Sequence, residues 1–555
     1  MEVQVKLLDS MVKVFADAEP QEREITKVSG FKGEVLSFQL AFAGKGNAVR
    51  DDGDLVAVES PVAEQIHLRT VELVPVRFAA HGDADDNYLR KTPGLYPDLL
   101  RELRDGTCPT GQVRVYPNQW QSLWADFETT ADTPAGVYPV TLRLLDRRSR
   151  EVRAEATLML EVYPAVLPEQ TLVRTNWFHA DCLASYYKTP VFSDRHWELM
   201  ENFIATAVKR GINLILTPIF TPPLDTAVGG ERPTVQLVKV ACNDGNYCFG
   251  YKRFDRWVEL CNRVGVRYFE MSHLFSQWGA TAAPKIIGIV DGVEQQLFGW
   301  ETDAHGEEYT KFLTSFLTSF VAHLRQLGIF ERCYFHISDE PSLEQLESYR
   351  AAKAVVEPLL GGLPIIDALS SFEFYKSGVL TKPIPANDHI EPFLAAQVKG
   401  LWTYYCICQY KDVSNLFISM PGARTRMLGV QLYKYNIEGF LQWGYNFYYS
   451  QYSGYELNPY CSTDGDGFAP AGDPFQVYPG ANGKPEESLR LMLLNKVMED
   501  LRAFQLLEHL AGRELVLALM EEGLEEPITF SCYPTDHDYL LRLRDKVDGE
   551  ILKRL

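Results

Sequence analysis

Two neighbouring carboxylates follow a short apolar run near the middle of the chain, in the segment His336-Ile337-Ser338-Asp339-Glu340-Pro341. If this run is a strand, alternation places Glu340 on the same face as His336 and Ser338. Asp339 then reaches that face only if the backbone bends near Ser338. Two carboxyls at one strand end suit general acid and base catalysis. The residues leave a second interpretation open, in which both acids belong to the first turn of a helix that Pro341 opens.

Metal binding is the less favoured use of this segment. His336 and Glu340, together with the distant His273, have side chains that can ligate a metal. However, no second histidine flanks His336, and the chain contains no H-E-x-x-H motif. We therefore predict no metal and no cofactor, and a His336 that is packed and hydrogen-bonded in the core.

Other segments combine aromatic rings with amides and carboxylates, which is the mixture that binds the hydroxyl rims and apolar faces of sugars. Nine aromatic residues fall between positions 440 and 460 alone. For any single one of them a place in the core is the alternative, and for Asp181 and Asp225 the alternatives are turn and capping roles. The predicted sugar-binding residues are Asp181, His273, Gln277, Trp278, Trp300, Tyr404, Trp443, Tyr445 and Asn446.

The elements that must position these residues alternate regularly along the chain. From about Thr171, short apolar strands alternate with amphipathic helices, as in a parallel α/β fold. Eight such units in roughly 340 residues predict a (β/α)8 TIM-type barrel with insertions, whose catalytic groups lie at the C-terminal strand ends. The predicted strands are 176–181, 212–220, 267–273, 333–338, 363–368, 382–386, 401–406 and 439–447. A long insertion after the second strand contains 234–240 and an added hairpin. The predicted helices are 194–210, 254–264, 307–327, 343–360 and 488–510.

The chain divides into three predicted parts. Residues 1–168 mix β-branched and aromatic residues between turns and predict a β-sandwich, with Pro164 and Pro168 marking a linker. Residues 169–512 form the predicted catalytic barrel. Residues 513–555 form a predicted C-terminal appendage of short strand-like and helical pieces.

Composition excludes several classes of protein. The 54 basic and 74 acidic residues give a net charge of −20, which repels nucleic acid and anionic membranes. No apolar run reaches the ~18 residues of a membrane span. Residues 1–14 lack the apolar core of a secretory signal, and the ten cysteines contain no C-x-x-C pair. We expect a cytoplasmic protein with reduced thiols and without nucleic-acid or membrane partners. Its oligomeric state, homo-oligomer included, stays open.

Six segments, in their serial order, resemble the catalytic domain of glycoside hydrolase family 123, which is widespread in bacterial proteins. The resemblance covers residues 170–512. The segments are TNW at 175–177, LTPIFTPP at 216–223, SHLFSQWG at 272–279, HISDEP at 336–341, GFLQWGYN at 439–446 and GDPFQVYPG at 472–480.

This resemblance implies a β-sandwich before a (β/α)8 barrel and an exo-acting β-N-acetylgalactosaminidase that works by substrate-assisted retention. Glu340 would then be the acid and base, and Asp339 would orient the 2-acetamido group of the sugar. Tyr404 or Tyr445 would hydrogen-bond the acetamido carbonyl, and Trp443 would form the floor under the ring. The expected partner is an oligosaccharide or glycoconjugate that ends in β-linked N-acetylgalactosamine or another 2-acetamido sugar.

Two other functions stay open. The first is a conventional two-carboxylate glycosidase acting on a sugar without an acetamido group, with Glu340 as the acid and Glu438 as the nucleophile. Such a pair normally stands ~5–5.5 Å apart and comes from different strands. The second is a non-catalytic carbohydrate-binding protein.

Overall fold

The computed structural model of the chain describes residues 2–46, 53–107 and 110–555. The part before residue 167 is built from strands, as its β-branched and aromatic segments predict. Its strands are β1 Glu2–Asp9, β2 Lys27–Lys32, β3 Val35–Lys45, β4 Asp54–Glu59, β5 Ile66–Val76, β6 Gly94–Glu102, β7 Arg104–Thr107, β8 Thr110–Val113, β9 Gln121–Glu128, β10 Gly136–Asp146 and β11 Val152–Val166.

These strands form two sheets that share one core. The five-stranded sheet has the order β1-β3-β9-β5-β6, and the six-stranded sheet has the order β2-β11-β10-β4-β8-β7. Alternate residues in the second half of β10 are buried, because one face of an antiparallel sheet packs on the core. Both sheets contribute to one apolar cluster that includes Phe38, Leu123, Leu142 and Leu160. The predicted sheet-rich first region is confirmed, and its boundary at residue 168 stays a prediction.

The rest of the chain mixes short strands with helices. The strands are β12 Val173–Asn176, β13 Leu214–Thr217, β14 Lys239–Asn243, β15 Asn246–Gly250, β16 Tyr268–Met271, β17 Ile286–Val290, β18 Val293–Phe298, β19 Cys333–Tyr334, β20 Asp367–Ala368, β21 Pro383–Ile384, β22 Trp402–Tyr404, β23 Gly439–Gln442, β24 Val477–Pro479 and β25 Pro485–Glu487. The helices are α1 Ala180–Tyr186, α2 Asp194–Lys209, α3 Lys252–Val264, α4 Glu307–Gln326, α5 Leu346–Val356, α6 Phe372–Lys376, α7 Glu391–Ala395, α8 Gly422–Arg426, α9 Leu428–Lys434, α10 Leu489–Ala511, α11 Arg513–Glu521 and α12 His537–Leu552.

Six of these strands form one parallel sheet with the order β19-β16-β13-β12-β23-β22. Every residue of β12, β13 and β23 is buried, because both faces of a parallel sheet are covered. Strands β20 and β21 pair in parallel as a separate two-stranded sheet. Single parallel bridges link Phe335 with Ile365 and Ala386 with Tyr404. The complete eight-stranded barrel stays a prediction.

Several strands end earlier than the sequence predicts. Strand β12 ends at Asn176, and Asp181, predicted at the end of that strand, lies in α1. Strand β19 ends at Tyr334 and β22 at Tyr404. In each case apolar residues continue beyond the last ladder pair, so hydrophobicity alone overestimates the length of the strand.

The long helices follow their sequence patterns closely. Helix α2 begins after Ser193, whose hydroxyl accepts a hydrogen bond from His196 N at 3.3 Å. Helix α4 buries Phe312, Phe316 and Phe320 at a spacing of four residues, which places them on one face.

The insertion contains the predicted added hairpin, formed by β14 and β15. This hairpin belongs to a larger sheet than predicted, because β14 also pairs with β17, which gives a four-stranded sheet with the order β15-β14-β17-β18. The C-terminal part differs from its prediction. Within the described residues 513–555 there is no strand, because α11 and α12 pack their apolar sides, including Val516 and Val547, into one cluster with Leu507 of α10. Across the described ranges, none of the helices has both the length and the apolar character needed to cross a membrane.

Candidate active site

The loops that follow β12, β13, β16, β19, β22 and β23 surround a pocket with a volume of about 190 Å³. C-terminal ends of neighbouring parallel strands lie at the same edge of a sheet, so distant segments meet here. The volume is below the roughly 300–1,000 Å³ of sites that take drug-sized ligands. The pocket is lined by Trp177, His179, Leu224, Asp225, Gln277, Trp278, Asp339, Glu340, Ala368, Tyr404, Cys406, Ile407, Leu441, Trp443, Gln451, Tyr452 and Phe468.

Both acids of the pair reach this pocket because the backbone bends. Glu340 adopts a left-handed backbone conformation with φ of 41°, which costs a residue with a side chain roughly 1 kcal/mol or more. Two backbone hydrogen bonds hold the bend: Glu340 N donates to Ala368 O at 3.0 Å, and Trp278 N donates to Asp339 O at 2.8 Å. The bend that the alternation required near Ser338 is therefore present.

The acids do not form the first turn of a helix. The chain passes Pro341 and Ser342 before a short 3-10 helix, Leu343–Gln345, and α5 begins only at Leu346. Ser342 is the N-cap and takes part in a capping box with Gln345. Capping of this helix therefore does not explain the two acids.

Burial and mutual repulsion make the pair hold protons more tightly than isolated carboxyls do. Burial first, and then the charge of Glu340, raise the pKa of Asp339 well above its usual value. The protein packed around Glu340 raises the pKa of Glu340 as well, although part of its side chain is exposed to solvent. The hydroxyl of Tyr404 donates to Glu340 Oε1 at 2.6 Å and opposes this rise, because it stabilises the carboxylate.

A buried network of side-chain hydrogen bonds lies beneath the acids. His336 contacts Glu270 Oε1 through Nε2 at 2.6 Å and Asp367 Oδ1 through Nδ1 at 2.9 Å. Burial disfavours the positive charge of His336, but the two carboxylates outweigh it and raise its pKa to about 9. Tyr349 donates to Asp367 Oδ2 at 2.5 Å. His336 is the packed, hydrogen-bonded core histidine that the sequence predicts, and its positive charge favours an ionised Asp339.

His273, predicted to bind sugar, lies within this core instead. Its ring stacks on His336 with the centroids 4.2 Å apart, and burial lowers its pKa well below the usual value. Ligand atoms of His273, His336 and Asp367 lie within 4.8 Å of one another. Both nitrogens of His336 already contact carboxylates, so these residues do not fit a metal ion as they stand.

Aromatic rings form much of the pocket wall. Trp443 is held by a hydrogen bond from Nε1 to Asp473 Oδ2 at 2.7 Å, and Trp177 by one from Nε1 to Glu270 Oε1 at 2.8 Å. Burial raises the pKa of Asp473 to about 7, although the bond from Trp443 opposes the rise. Trp278 and Tyr452 stand at the rim, 40% and 44% exposed, in an edge-to-face contact. Apolar ring faces of this kind suit the C–H faces of a sugar.

Polar groups complete the wall. Asp225 has φ of 41° and is fixed by a hydrogen bond from its N to Gln277 Oε1 at 2.7 Å. Burial raises the pKa of Asp225 to about 6. Among the described residues, Gln277 Nε2 is a buried donor without a partner. A buried unpaired donor is costly, so an acceptor from a ligand would stabilise the site.

Four more predicted sugar-binding residues do not line the pocket. Asp181 forms an ion pair with Arg232 at 2.8 Å, and both side chains are buried. Trp300 donates from Nε1 to Gly230 O at 3.0 Å, away from the lining residues. Tyr445 and Asn446 are buried, and their polar atoms bond Phe203 O and the backbone of His179. These four residues support the loops rather than line the cavity.

The structure thus brings together Asp339, Glu340, Gln277, Trp278, Tyr404 and Trp443 from the predicted set. It adds Trp177, His179, Tyr452, Phe468 and Cys406, which the sequence did not single out as binding residues. Trp177 directly follows a strand in a parallel sheet, which was an available signal. Phe468 and Tyr452 lie in long loops, where no periodic pattern predicts orientation.

Comparisons with known proteins agree with this geometry. The family model described as "Glycoside hydrolase 123, catalytic domain" matches residues 177–507. The structure of a family 123 glycoside hydrolase from Clostridium perfringens, studied for the details of glycolipid glycan hydrolysis, is similar to this chain with a TM-score of 0.74. It is 15% identical, and the match covers 99% of this chain and 98% of that chain. The match with Ruminococcus gnavus β-glucuronidase in complex with uronic isofagomine is weaker, with a TM-score of 0.29, 8% identity and coverage of 88% and 91%. No curated protein matches the chain.

Proposed function

The chain belongs to glycoside hydrolase family 123, and on that premise we propose that it removes a terminal β-linked 2-acetamido sugar, N-acetylgalactosamine first, by substrate-assisted retaining hydrolysis. One observation carries the proposal: Asp339 and Glu340, adjacent in sequence, both line one small pocket walled by tryptophans. Its volume of about 190 Å³ suits one sugar ring rather than a chain of rings, which favours exo action.

The two acids divide the chemistry between them. Glu340 gives its proton to the glycosidic oxygen as the bond to the anomeric carbon breaks. The acetamido oxygen of the substrate forms the new bond to that carbon, and Asp339 accepts a hydrogen bond from the acetamido N–H and stabilises the positive charge of the cyclic intermediate. Glu340, now ionised, takes a proton from the water that opens the ring. Two inversions at one carbon give net retention.

The division needs opposite charge states. Asp339 must carry a negative charge when the cationic intermediate forms, whereas Glu340 must carry a proton when the bond breaks. The cationic His336 opposes the effects of burial and of Glu340, which together still hold the pKa of Asp339 well above its usual value, so the proposal requires the acetamido N–H of the bound sugar to stabilise the charge of Asp339 further. Bound sugar removes water from the exposed side of Glu340, which favours its neutral form.

We also propose that the parallel strands close into the (β/α)8 barrel expected for this catalytic domain. The two-stranded sheet β20-β21 would fill the gap between β19 and β22. In favour are the single bridges from Phe335 to Ile365 and from Ala386 to Tyr404, which lie on either side of that sheet.

A conventional two-carboxylate mechanism is less well supported. Glu438, its sequence-based nucleophile, directly precedes β23 and lines a separate cavity with Lys382 and Arg513. It therefore lies at the opposite end of the strand from the acid pair. Asp225 does line the pocket, but its pKa of about 6 and its fixed backbone fit a hydrogen-bonding partner for a sugar hydroxyl better than a nucleophile.

The decisive experiment is a panel of aryl β-glycosides with and without the 2-acetamido group. We expect turnover of the 2-acetamido-2-deoxy-β-galactoside and little turnover of the plain β-galactoside. Glu340→Gln should lower the rate at least about 10²-fold by removing the acid. Asp339→Asn should lower it roughly 10²–10³-fold by removing charge stabilisation.

Two outcomes would contradict the proposal. Plain galactosides hydrolysed at a comparable rate, with Asp339→Asn fully active, would rule out substrate assistance. Sugar binding by calorimetry without turnover of any glycoside would favour a non-catalytic binding protein. Trp300→Phe is the matched control, because Trp300 lies outside the pocket.

A further inference from the structure

A tight turn after β22 carries two cysteines to the rim of the pocket. Gln409 N donates to Cys406 O at 3.3 Å, and Gln409 Oε1 accepts from Cys406 N at 2.9 Å and from Cys406 Sγ at 3.3 Å. Cys406 lines the pocket two residues after Tyr404, the residue that donates to Glu340. Cys408 is exposed to solvent. One thiol thus borders the catalytic acid, and the other faces the medium.

The two thiols lie two residues apart on this turn. Their proximity lowers the pKa of Cys408 to about 7 and raises the pKa of Cys406 well above its usual value. Cys408 is therefore about half thiolate at neutral pH, and Cys406 is the neighbouring thiol that can react in a second step. Thiolate character, access and a neighbouring resolving thiol are the properties that favour thiol–disulfide exchange.

We propose that Cys406 and Cys408 form an oxidisable dithiol at the pocket wall, which a low-molecular-weight disulfide converts into an internal disulfide. We expect formation of this disulfide to slow hydrolysis. That expectation rests on the proposed function, whereas the thiol chemistry does not. The proposal assigns a chemical role to a C-x-C segment that the glycosidase mechanism leaves unused.

The exchange balances in two steps. The Cys408 thiolate attacks one sulfur of the small disulfide, whose S–S bond breaks and releases one thiolate, which takes a proton from water. The Cys406 thiol loses its proton to the medium and attacks the sulfur of Cys408, and the second small thiol leaves. The dithiol loses two electrons and two protons, and the small disulfide is reduced to two thiols.

Formation of the Cys406–Cys408 disulfide would change the pocket wall. Cys406 Sγ would leave Gln409 and turn toward Cys408, while Cys406 N stays tied to the same Gln409 side chain. Tyr404, two residues earlier, holds Glu340 at 2.6 Å. A displacement of about 1 Å at such a contact can cost 10²-fold in rate. A disulfide across only one intervening residue is also strained, which keeps it readily reducible.

The test uses the full chain and glutathione disulfide. Trypsin releases residues 400–411 as one peptide that contains both cysteines and no others. After oxidation we expect this peptide to lose two hydrogens in mass and to resist alkylation. The hydrolysis rate of the enzyme should fall at least about tenfold and return with dithiothreitol. Cys408→Ser should keep the basal rate and lose the response. Cys532→Ser, which removes another exposed thiol, should respond like the parent protein.

The mass measurement separates this proposal from the proposed function. Two alkylatable thiols after oxidation, or a stable mixed disulfide on Cys408 without an internal bond, would overturn the dithiol. An internal disulfide with an unchanged hydrolysis rate would overturn the link to Glu340. A protein inactive even when fully reduced would contradict the proposed function, and the peptide mass would still decide the dithiol.

Discussion

In the proposed mechanism Glu340 protonates a leaving group, which it can do only while it holds a proton, and its neighbours shift its pKa in opposite directions. The surrounding protein raises the pKa of Glu340, whereas the hydroxyl of Tyr404 lowers it by stabilising the carboxylate at 2.6 Å. Tyr404 is buried, so this hydrogen bond acts where water screens it weakly. If Glu340 is the acid, as proposed, we expect Tyr404 to influence the upper pH limit of activity as well as the orientation of that carboxyl.

Tyr404→Phe tests this role. Without the hydroxyl, the charged form of Glu340 loses its donor, so the pKa of Glu340 should rise further. Activity that needs protonated Glu340 should then persist to higher pH, and the alkaline limb of the profile of kcat/KM against pH should move to higher pH. The measurement is that profile on an aryl 2-acetamido glycoside. A limb that stays in place or moves to lower pH would contradict the assignment. Tyr455→Phe, at an exposed tyrosine that does not line the pocket, is the control.

At the scale of single residues the sequence predicted the acid pair but not its geometry. Alternation placed Glu340 at the site and required a bend for Asp339. The bend depends on partners such as Ala368 and Trp278, which are distant in sequence, and local patterns carry no information on such partners. The same limit applies to Tyr445 and Asn446, whose types suit a sugar but whose polar atoms serve the backbone.

The loop between β16 and β17 shows how an element prepares a binding surface. Trp278 has φ of 56° and is 40% exposed, a costly conformation for an aromatic residue. Its N donates to Asp339 O at 2.8 Å, and its O accepts from Gln345 Nε2 at 2.6 Å. Ser348 Oγ donates to Gly279 O at 2.7 Å. These contacts tie the loop to the segment that carries the acids and fix the ring at the rim.

Trp278→Ala should therefore weaken the binding of the part of the substrate that extends beyond the pocket. Losing the aromatic face costs about 0.5–1.5 kcal/mol, so we expect KM for an oligosaccharide to rise roughly threefold to tenfold with kcat nearly unchanged. An aryl glycoside without a second sugar should show a smaller change. Equal losses of kcat on both substrates would indicate that the loop, rather than the ring, was damaged. Trp300→Phe serves again as the tryptophan control.

At the scale of elements the helices were the easier prediction. Helix α4 was expected over 307–327 and is found at Glu307–Gln326. Large apolar residues recur every four positions in this segment, and that spacing predicts a helix. Short strands such as β20 and β21 have two residues each, and their pairing depends on neighbours far along the chain. The strands predicted at 363–368, 382–386 and 401–406 are therefore found within those ranges, but they are shorter than predicted.

In the whole molecule, the N-terminal sheets are joined to the loops around the pocket. The connection between β5 and β6 contacts the second part of the chain. Phe78 N donates to Asp464 Oδ2 at 3.0 Å, and Arg424 donates to Asp85 Oδ2 at 2.8 Å. Tyr88 donates to Tyr410 O at 2.6 Å, close to the cysteine turn. The sequence predicted a separate sandwich and gave no sign of these contacts, because each joins residues more than 300 positions apart.

A fully buried ion pair between Asp98 of β6 and Arg490 of α10 also joins the N-terminal sheets to the rest of the chain. The guanidinium donates through Nε to Oδ1 and through Nη2 to Oδ2, both at 2.8 Å, and both side chains are fully buried. Tyr478 also donates to Asp98 at 2.6 Å. Removing one partner of a buried pair leaves the other charge without compensation, which typically costs about 3–5 kcal/mol.

Asp98→Asn should therefore lower the free energy of unfolding by about that amount, whereas Asp17→Asn, in the exposed pair with Arg90, should change it by at most about 1 kcal/mol. Urea unfolding followed by circular dichroism measures both. Replacing the pair together, as Asp98→Leu with Arg490→Met, should recover much of the loss, since no unpaired charge remains. The recovery will be incomplete, because Arg490 also donates to Gly472 O and Phe475 O, next to Asp473 that holds Trp443. Equal stability losses for Asp98→Asn and Asp17→Asn would show that this joint does not couple the N-terminal sheets to the catalytic part.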